Sequence, residues 1–461
     1  MKSRTGKGLS IVVALAFMIP TSFFLNVTPN ISAVSNSTDY SYTSSITFTS
    51  YDRILTDENR IIDNGWYNGP LDSMVQAVNG DYLAFIREGT SHVGDNGSLK
   101  LYRSVNNAID FSMNATLRNI THRDVRNYAS GITDTGRIFV FYSIYDPLNN
   151  TWPTPIEYQY SDNNGTTWAG PITMSLPTVD GFVPNDGSPF GNLRILATGR
   201  IGFSAYLGNG TYVQVRFIYS DDNGATWHHI AMGSPTGPSP NFRTETEIVY
   251  LGNGRLVALA REDNTAGPDM FTSTDNGLTW TFHGYLPFGL PGSTMTSLSI
   301  ISDSVGIAWA LAIFSQHDSD SWWYSIAYGD DLMSSGIAAW EVPIITTDLS
   351  GGYPVTIFHA DTGIGFIMTE TNETDAIEFV SIWNLTASIT RATYPTSISS
   401  LVSVTFTMFA IGIIVGVIAE GTNSLRKMEM RTTEKMVKSL LNMVIYIVIG
   451  MASLGIMYSM V

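Results

Sequence analysis

The chain has 461 residues, with 24 Lys and Arg against 40 Asp and Glu, a net charge of −16 and no cysteine. That length holds one large domain with room for membrane-directed segments. The missing thiols exclude a disulfide framework, a thiolate metal site and a cysteine nucleophile. The acidity argues against nucleic acid as a partner, because phosphate contacts need a basic patch.

Residues 1–33 begin with Lys2, Arg4 and Lys7, run through an apolar stretch from Leu9 to Ile19, and end on Ile31-Ser32-Ala33. This layout predicts a secretory signal peptide or, uncleaved, a signal anchor. Residues 34–45 are polar and rich in Ser and Thr, and read as a linker.

Residues 46–385 repeat a strand, a Gly-containing turn and a second strand. Ala77-Val-Asn-Gly80-Asp-Tyr-Leu-Ala-Phe85 is the first such element, and Ser104 to Phe111 closes it. Gly131 to Phe141, the stretch from Leu193, and Leu251-Gly-Asn-Gly254-Arg-Leu-Val follow. A fifth element spans about 297–340. A sixth begins at Tyr353 and is expected to borrow a strand from around Ile46–Tyr51.

Three octets punctuate this region: Ser161-Asp-Asn-Asn-Gly165-Thr-Thr-Trp168, Ser220-Asp-Asp-Asn-Gly224-Ala-Thr-Trp227 and Ser273-Thr-Asp-Asn-Gly277-Leu-Thr-Trp280. The Gly supplies the positive φ of a tight turn. The Asp or Asn side chain caps backbone N–H groups, and the Trp covers the hairpin with an apolar face. A recurrence of about 50 residues with strand-rich filler points to propeller blades. The octets resemble the Asp-box (BNR) repeat of the sialidase-like β-propellers. The resemblance implies an all-β, six-bladed β-propeller over residues 46–385, with the boxes as structural turns.

The site residues follow from the same resemblance. Glu245, Leu251, Gly254 and Arg261 match the spacing of a sialidase segment in which the Glu polarises a tyrosine nucleophile and the Arg binds the substrate carboxylate. A purely structural ion pair of Arg261 with Glu245 or Glu262 is the alternative. Tyr353 lies where the family places its nucleophile, a known exception to carboxylate nucleophiles; a core tyrosine is the alternative. The loop Arg87-Glu-Gly-Thr-Ser-His92-Val-Gly-Asp95-Asn-Gly97 matches the one that carries the family's acid/base Asp, here Asp95, with a solvated turn as the alternative. Arg87 and His92 join Arg261 as substrate-binding candidates.

Two of the three family arginines that clamp a carboxylate are missing. Pro70 occupies the place of the first, and no Lys or Arg lies between Arg261 and Arg391. Bidentate arginines recognise carboxylates, so a neutral glycan is expected rather than sialic acid. The seven His show no metal-ligand spacing and no phosphate loop or G-x-S-x-G is present, so no cofactor or metal is expected.

After a second polar linker, 386–397, two uncharged apolar runs fall within 398–420 and 439–461. Each has the length of a transmembrane helix. The loop 421–438 carries Arg426, Lys427, Arg431, Lys435 and Lys438, which predicts a cytoplasmic position. The propeller then faces outside the cell membrane. N-x-S/T sequons from Asn26 to Asn384 all precede the first run, consistent with an extracellular glycoprotein.

The sequence therefore predicts a membrane-anchored extracellular exo-glycosidase of sialidase-like type, with a glycan as partner. A non-catalytic glycan- or protein-binding propeller is the second reading. A polysaccharide lyase using His92 and a Tyr is the third.

Overall fold

The structure is a computed structural model. It describes residues 40–50, 67–68, 73–89, 94, 96–109, 111–151, 156–233, 243–262, 267–288, 294–303, 306–316, 322–346, 352–359, 364–374 and 377–393. The chain divides into two compact units, Met1–Ser35 with Tyr42–Arg391, and Asn36–Ser41 with Ala392–Val461. The first carries all but the outer ends of the sheets.

The fold is all-β and built from antiparallel meanders. β1 (Tyr40–Ser50) precedes them. The first meander holds β2 (Tyr67–Asn68), β3 (Ser73–Gln76), β4 (Tyr82–Gly89), β5 (Ser98–Ser104) and β6 (Ser112–Asn119). The second holds β7 (Asp124–Ile132), β8 (Ile138–Tyr145), β9 (Glu157–Ser161) and β10 (Ala169–Thr173). The third holds β11 (Asp186–Ile195), β12 (Ile201–Gly208), β13 (Val213–Ser220) and β14 (His228–Ala231). The fourth holds β15 (Arg243–Gly252), β16 (Arg255–Glu262), β17 (Asp269–Ser273) and β18 (Thr281–Tyr285).

The fifth holds β19 (Thr294–Ser302), β20 (Ala308–Gln316), β21 (Trp322–Tyr328), the short helix α1 (Gly329–Ser335) and β22 (Ile344–Thr346). The last holds β23 (Gly352–His359), β24 (Ile364–Thr374) and β25 (Ile377–Thr393), and β1 pairs with β25 as its outer strand. β7 and β11 pair in parallel at Ala129 and Ser130, which joins the second and third sheets.

Strand composition follows position in the meander. β8 reads Ile-Phe-Val-Phe-Tyr-Ser-Ile-Tyr and is buried along almost its whole length. A continuous apolar run of this kind suits a strand covered on both faces. The outer strands β6 and β10 are largely exposed.

Each layer of core lies between one meander and the next. Phe139 and Phe141 of the second pack with Phe203 and Trp227 of the third. Phe217 of the third packs with Leu256 and Phe271 of the fourth. Leu259 of the fourth meets Ala312 and Phe314 of the fifth, and Trp309 of the fifth meets Leu385 and Ala387 of the last. Val355 and Ile357 of β23 pack against Met74, Ala84 and Tyr102 of the first meander. Phe141 and Phe203 stack with centroids 4.2 Å apart, a contact that adds about 1 kcal/mol to the area they bury.

The octets form the turns expected of them. Ser220 Oγ accepts the Gly224 N–H at 2.8 Å, Asp222 Oδ1 accepts the Thr226 N–H at 2.8 Å, and Thr226 Oγ1 donates to Asp222 Oδ2 at 2.6 Å. In the first octet Asn163 reverses one bond, its Nδ2 donating to Thr167 Oγ1 at 2.9 Å. The degenerate turn after Ser104 keeps the Ser–Asn contact at 2.8 Å. There Ala108 adopts φ 59°, a conformation that glycine would take without strain.

Two sequence expectations need adjustment. β1 begins at Tyr40, inside the stretch read as a linker, and β25 continues to Thr393, past the expected boundary at 385. The fifth meander, read without an octet, has α1 at the place where the second, third and fourth have theirs. The signal segment and both apolar C-terminal runs lie outside the described residues. Among the described residues no helix is long and apolar enough to cross a membrane.

Candidate active site on the first strands of the meanders

Glu245 stands near the start of β15, just where the register with β16 shifts between Arg243 and Thr246. Arg261 lies near the end of β16, and its Nη1 donates to both carboxylate oxygens of Glu245, at 3.1 and 3.2 Å. Both side chains are largely buried. The pair is formed within one hairpin, so it does not tie two meanders together. Buried ion pairs cost desolvation that only good geometry recovers, and an apolar pair would fill the same place more cheaply.

Glu247 lies two residues further along β15. It is buried against Arg194, which also donates to the carbonyls of Ile248 and Leu298. Burial raises the Glu247 pKa, opposed by the Arg194 charge and the Asn192 N–H. Gly191, at φ 73°, leaves room for it, since a Cβ there would stand 2.1 Å from Glu247 Oε2.

Arg87, near the end of β4, is fully buried and donates to Asp124 through Nε at 2.8 Å and Nη2 at 3.0 Å. Asp124 opens β7 and also accepts the Gly94 N–H at 3.3 Å. A Cβ on Gly97 would come within 1.8 Å of Asp124 Oδ1, so this loop must close on glycine. Arg87 and Asp124 together hold down the loop that carries His92 and Asp95. His92 and Asp95 themselves lie outside the described residues.

Arg126, Asn127, Ser188 and Tyr206 escaped the sequence reading. Arg126 Nη1 is 3.6 Å from Asp124. The register of β7 against β8 shifts between Arg126 and Tyr128, and Asn127 takes φ 56°. This bulge brings two consecutive side chains together, with Arg126 Nε donating to Asn127 Oδ1 at 3.3 Å. Asn127 Nδ2 reaches Ser188 Oγ, and Tyr206 Oη at 2.8 Å. Burial and the charge of Glu245 push the Tyr206 phenol up to about 12. The signal available in sequence was the polar run Asp124-Val-Arg126-Asn127 opening an otherwise apolar strand.

The backbone of Tyr353 lies in β23, where the register with β24 shifts between Gly352 and Val355; its side chain is outside the described residues. Thr356 on the same strand is buried and accepts Asn192 Nδ2 on its carbonyl at 3.4 Å, while its Oγ1 lies 2.7 Å from Ser297 Oγ. The first strands of the third, fifth and last meanders therefore meet. Among the described residues no group of His, Asp and Glu is arranged to hold a metal ion.

The description of the family model that matches residues 74–312 is "BNR repeat-like domain". The chain belongs to that family. It is a divergent, sialidase-like member. A sialidase of Paraclostridium sordellii is 26% identical over 225 residues, 43% of this chain and 50% of the relative. The chain thus spans about half the length of the relatives it matches in sequence. Among solved structures, a Dyadobacter fermentans protein of unknown function superposes with a TM-score of 0.57 at 15% identity, covering 74% of this chain and 99% of that one. The Trypanosoma rangeli sialidase in complex with the inhibitor DANA gives 0.54 at 14%, covering 74% and 59%. At such identities these likenesses show the sialidase-like fold.

Proposed function

We infer that this BNR-family chain is an exported, membrane-anchored glycoside hydrolase of sialidase-like type, built on a closed six-bladed propeller. The ring is supported by the order of packing, in which β3, β7, β11, β15, β19 and β23 each meet the next and β23 meets β3. The first strands then line the axis, where propellers place ligands.

The observation that carries the hydrolase reading is the largely buried Glu245–Arg261 pair, in a chain of this family. In this reading Tyr353 attacks the anomeric carbon with Glu245 as its base, and Asp95 protonates the leaving oxygen. Arg261 and His92 hold the sugar, and Arg87 acts from beneath through Asp124. The substrate is a glycan other than sialic acid, since Arg261 is the one family arginine kept at its place. The apolar runs at 398–420 and 439–461 anchor the protein with the propeller outside.

The missing arginines also favour a second reading, a non-catalytic propeller that binds glycan or protein. One experiment separates the two. Full-length protein in detergent is assayed against chromogenic glycosides, sialosides included. Turnover of a neutral glycoside that is lost in Tyr353→Phe and Asp95→Asn supports the hydrolase. Inert wild-type protein that still retains glycans supports the binding module. Strong sialoside hydrolysis refutes the inference from the arginines.

A further inference from the structure

We propose that Arg194 is a positioning residue, which through Glu247 and the main chain of β15 sets where the Glu245 carboxylate stands against Arg261. Its bearing on catalysis rests on the proposed hydrolase. The positioning itself rests on the contacts of β15 with the third meander.

Glu245 stands where the ladder of its own hairpin is interrupted. Arg243 pairs with Glu262 and Thr246 with Ala260, so two residues of β15, Thr244 and Glu245, oppose the single residue Arg261. A bulge of this kind re-aims a side chain and leaves the extra residue outside the ladder. The pairing of β15 with β16 therefore does not by itself fix Glu245.

The residues that follow are fixed from the third meander. Ser204 Oγ donates to the Thr246 carbonyl. The Asn192 N–H donates to Glu247 Oε1 at 3.3 Å, and Arg194 Nη2 donates to the same oxygen. Arg194 Nε donates to the Ile248 carbonyl at 2.6 Å, and Nη2 reaches the Leu298 carbonyl of β19 at 3.0 Å. Every residue from Thr246 to Ile248 is thus bonded to β11 or β12. The guanidinium is planar and its donors have fixed relative directions, so the Glu247 carboxylate and the Ile248 carbonyl are held as one unit.

β11 is shaped to seat this carboxylate. Phe190 pairs with Ser204 and Arg194 with Gly202, so the residues from Gly191 to Leu193 stand opposite Phe203 alone. There β11 turns to pair with β7, and a side chain at Gly191 would collide with Glu247. Glu247 is almost wholly buried and Arg194 mostly so. Taking such a pair out of water is costly, and an apolar pair of like volume joins two sheets as well or better. Cohesion between meanders does not call for these charges. A fixed geometry beside Glu245 does, because a site holds its shape through the residues that support it.

The test uses full-length protein in detergent and the chromogenic glycoside that wild type cleaves fastest. Arg194→Lys keeps the charge but replaces the planar fork with a flexible point donor. It is expected to lower kcat about 10- to 100-fold, the scale on which a displacement of about 1 Å acts, with KM little changed. In a Glu245→Gln background the same substitution should cause no further loss, because the base it positions is gone. Arg194→Met combined with Glu247→Leu is the second variant if Arg194→Lys folds poorly. It offers an apolar pair to the same place and should lose kcat to the same degree.

Unchanged kcat in either folded variant, or an equal fold-loss in the wild-type and Glu245→Gln backgrounds, overturns the proposal and leaves the hydrolase reading standing. If wild type cleaves no glycoside, the hydrolase reading falls, and crystal structures of wild type and Arg194→Lys decide the positioning. A Glu245 carboxylate displaced from Arg261 upholds it, and an unmoved one overturns it.

Discussion

Arg200 of the third meander donates from Nη1 to the main-chain carbonyl of Asn276, inside the octet turn of the fourth, at 3.0 Å. The same clasp recurs in earlier steps of the chain. Arg137 reaches the carbonyl of Asn223 at 3.3 Å, and Arg103 that of Asn164 at 2.8 Å. The three asparagines take φ 55–59°, which turns their carbonyls toward the preceding meander. Arg200 is held in place by Asp221 and lies 4.2 Å over the Tyr219 ring; Arg137 repeats both contacts with Asp162 and Tyr160. The fourth meander has no octet ahead of it, and Arg255 pairs instead with Asp330 of α1.

The clasp predicts a stability cost. Arg200→Ala removes a hydrogen bond and a stacked cation, together worth about 1–2 kcal/mol. Thermal unfolding should begin several degrees lower than in wild type. An unchanged midpoint would mean that the repeated contact is incidental.

The octet glycines should tolerate nothing larger. Gly224 has φ 84°, and a Cβ would stand 2.3 Å from Phe139 Cζ; at Gly277 it would stand 2.4 Å from Phe217 Cε1. Strain in φ and overpacking add to about 2–4 kcal/mol for Gly224→Ala. Urea midpoints check this, with Gly181→Ala as the comparison, where no atom lies within 4 Å of the added carbon and only the φ strain applies.

Acid sensitivity should trace partly to His229. Its ring lies between Arg216 Nη1 at 2.8 Å and the Pro177 carbonyl at 2.7 Å, and burial lowers its pKa from 6.5 to about 4. A depressed folded pKa means the unfolded state binds the proton more readily. The contribution is complete above pH 6.5 and is lost as pH falls toward 4. His229→Gln should flatten the fall in midpoint across that window, as measured by thermal melts at stepped pH.

Glu341 acts in the opposite sense. Burial raises its pKa from 4.5 to about 7, and its Oε1 is buried without a hydrogen-bond partner. The folded state holds the proton, so stability falls as pH rises from 4.5 through 7. Glu341→Gln should remove this loss and raise the midpoint at pH 8 relative to wild type. A midpoint at pH 8 no higher than that of wild type contradicts it.

Glu245→Gln should separate chemistry from folding. The amide keeps the shape and one acceptor for Arg261, so melting should shift little, while turnover under the proposed mechanism drops at least ~100-fold. Glu245→Ala leaves Arg261 without its partner at this site and should destabilise by about 3 kcal/mol. Turnover retained in Glu245→Gln would remove Glu245 from the chemistry.

The octets made the fold legible because turn chemistry is local: Ser161, Asn163, Gly165 and Trp168 satisfy one another within eight residues. The Glu245–Arg261 contact was legible because a hairpin fixes its spacing. Asn127, Tyr206 and Ser188 were not, because they meet through strand pairing across separate meanders and through a bulge, neither of which leaves a periodic trace. Glu247 stands two residues from Glu245 in the sequence, but its partner Arg194 belongs to another sheet. The fifth element was read without an octet, but the helix α1 that stands at that place was not foreseen.

β1, at the beginning of the chain, completes the sheet whose other members are made last. During synthesis it emerges long before β25 exists to receive it, and the last sheet keeps an unpaired rim until the final strand arrives. Such rims invite pairing with other chains, and contacts of this sequence separation form slowly. Among the described strands the β1–β25 seam can therefore close only after β25 has been made.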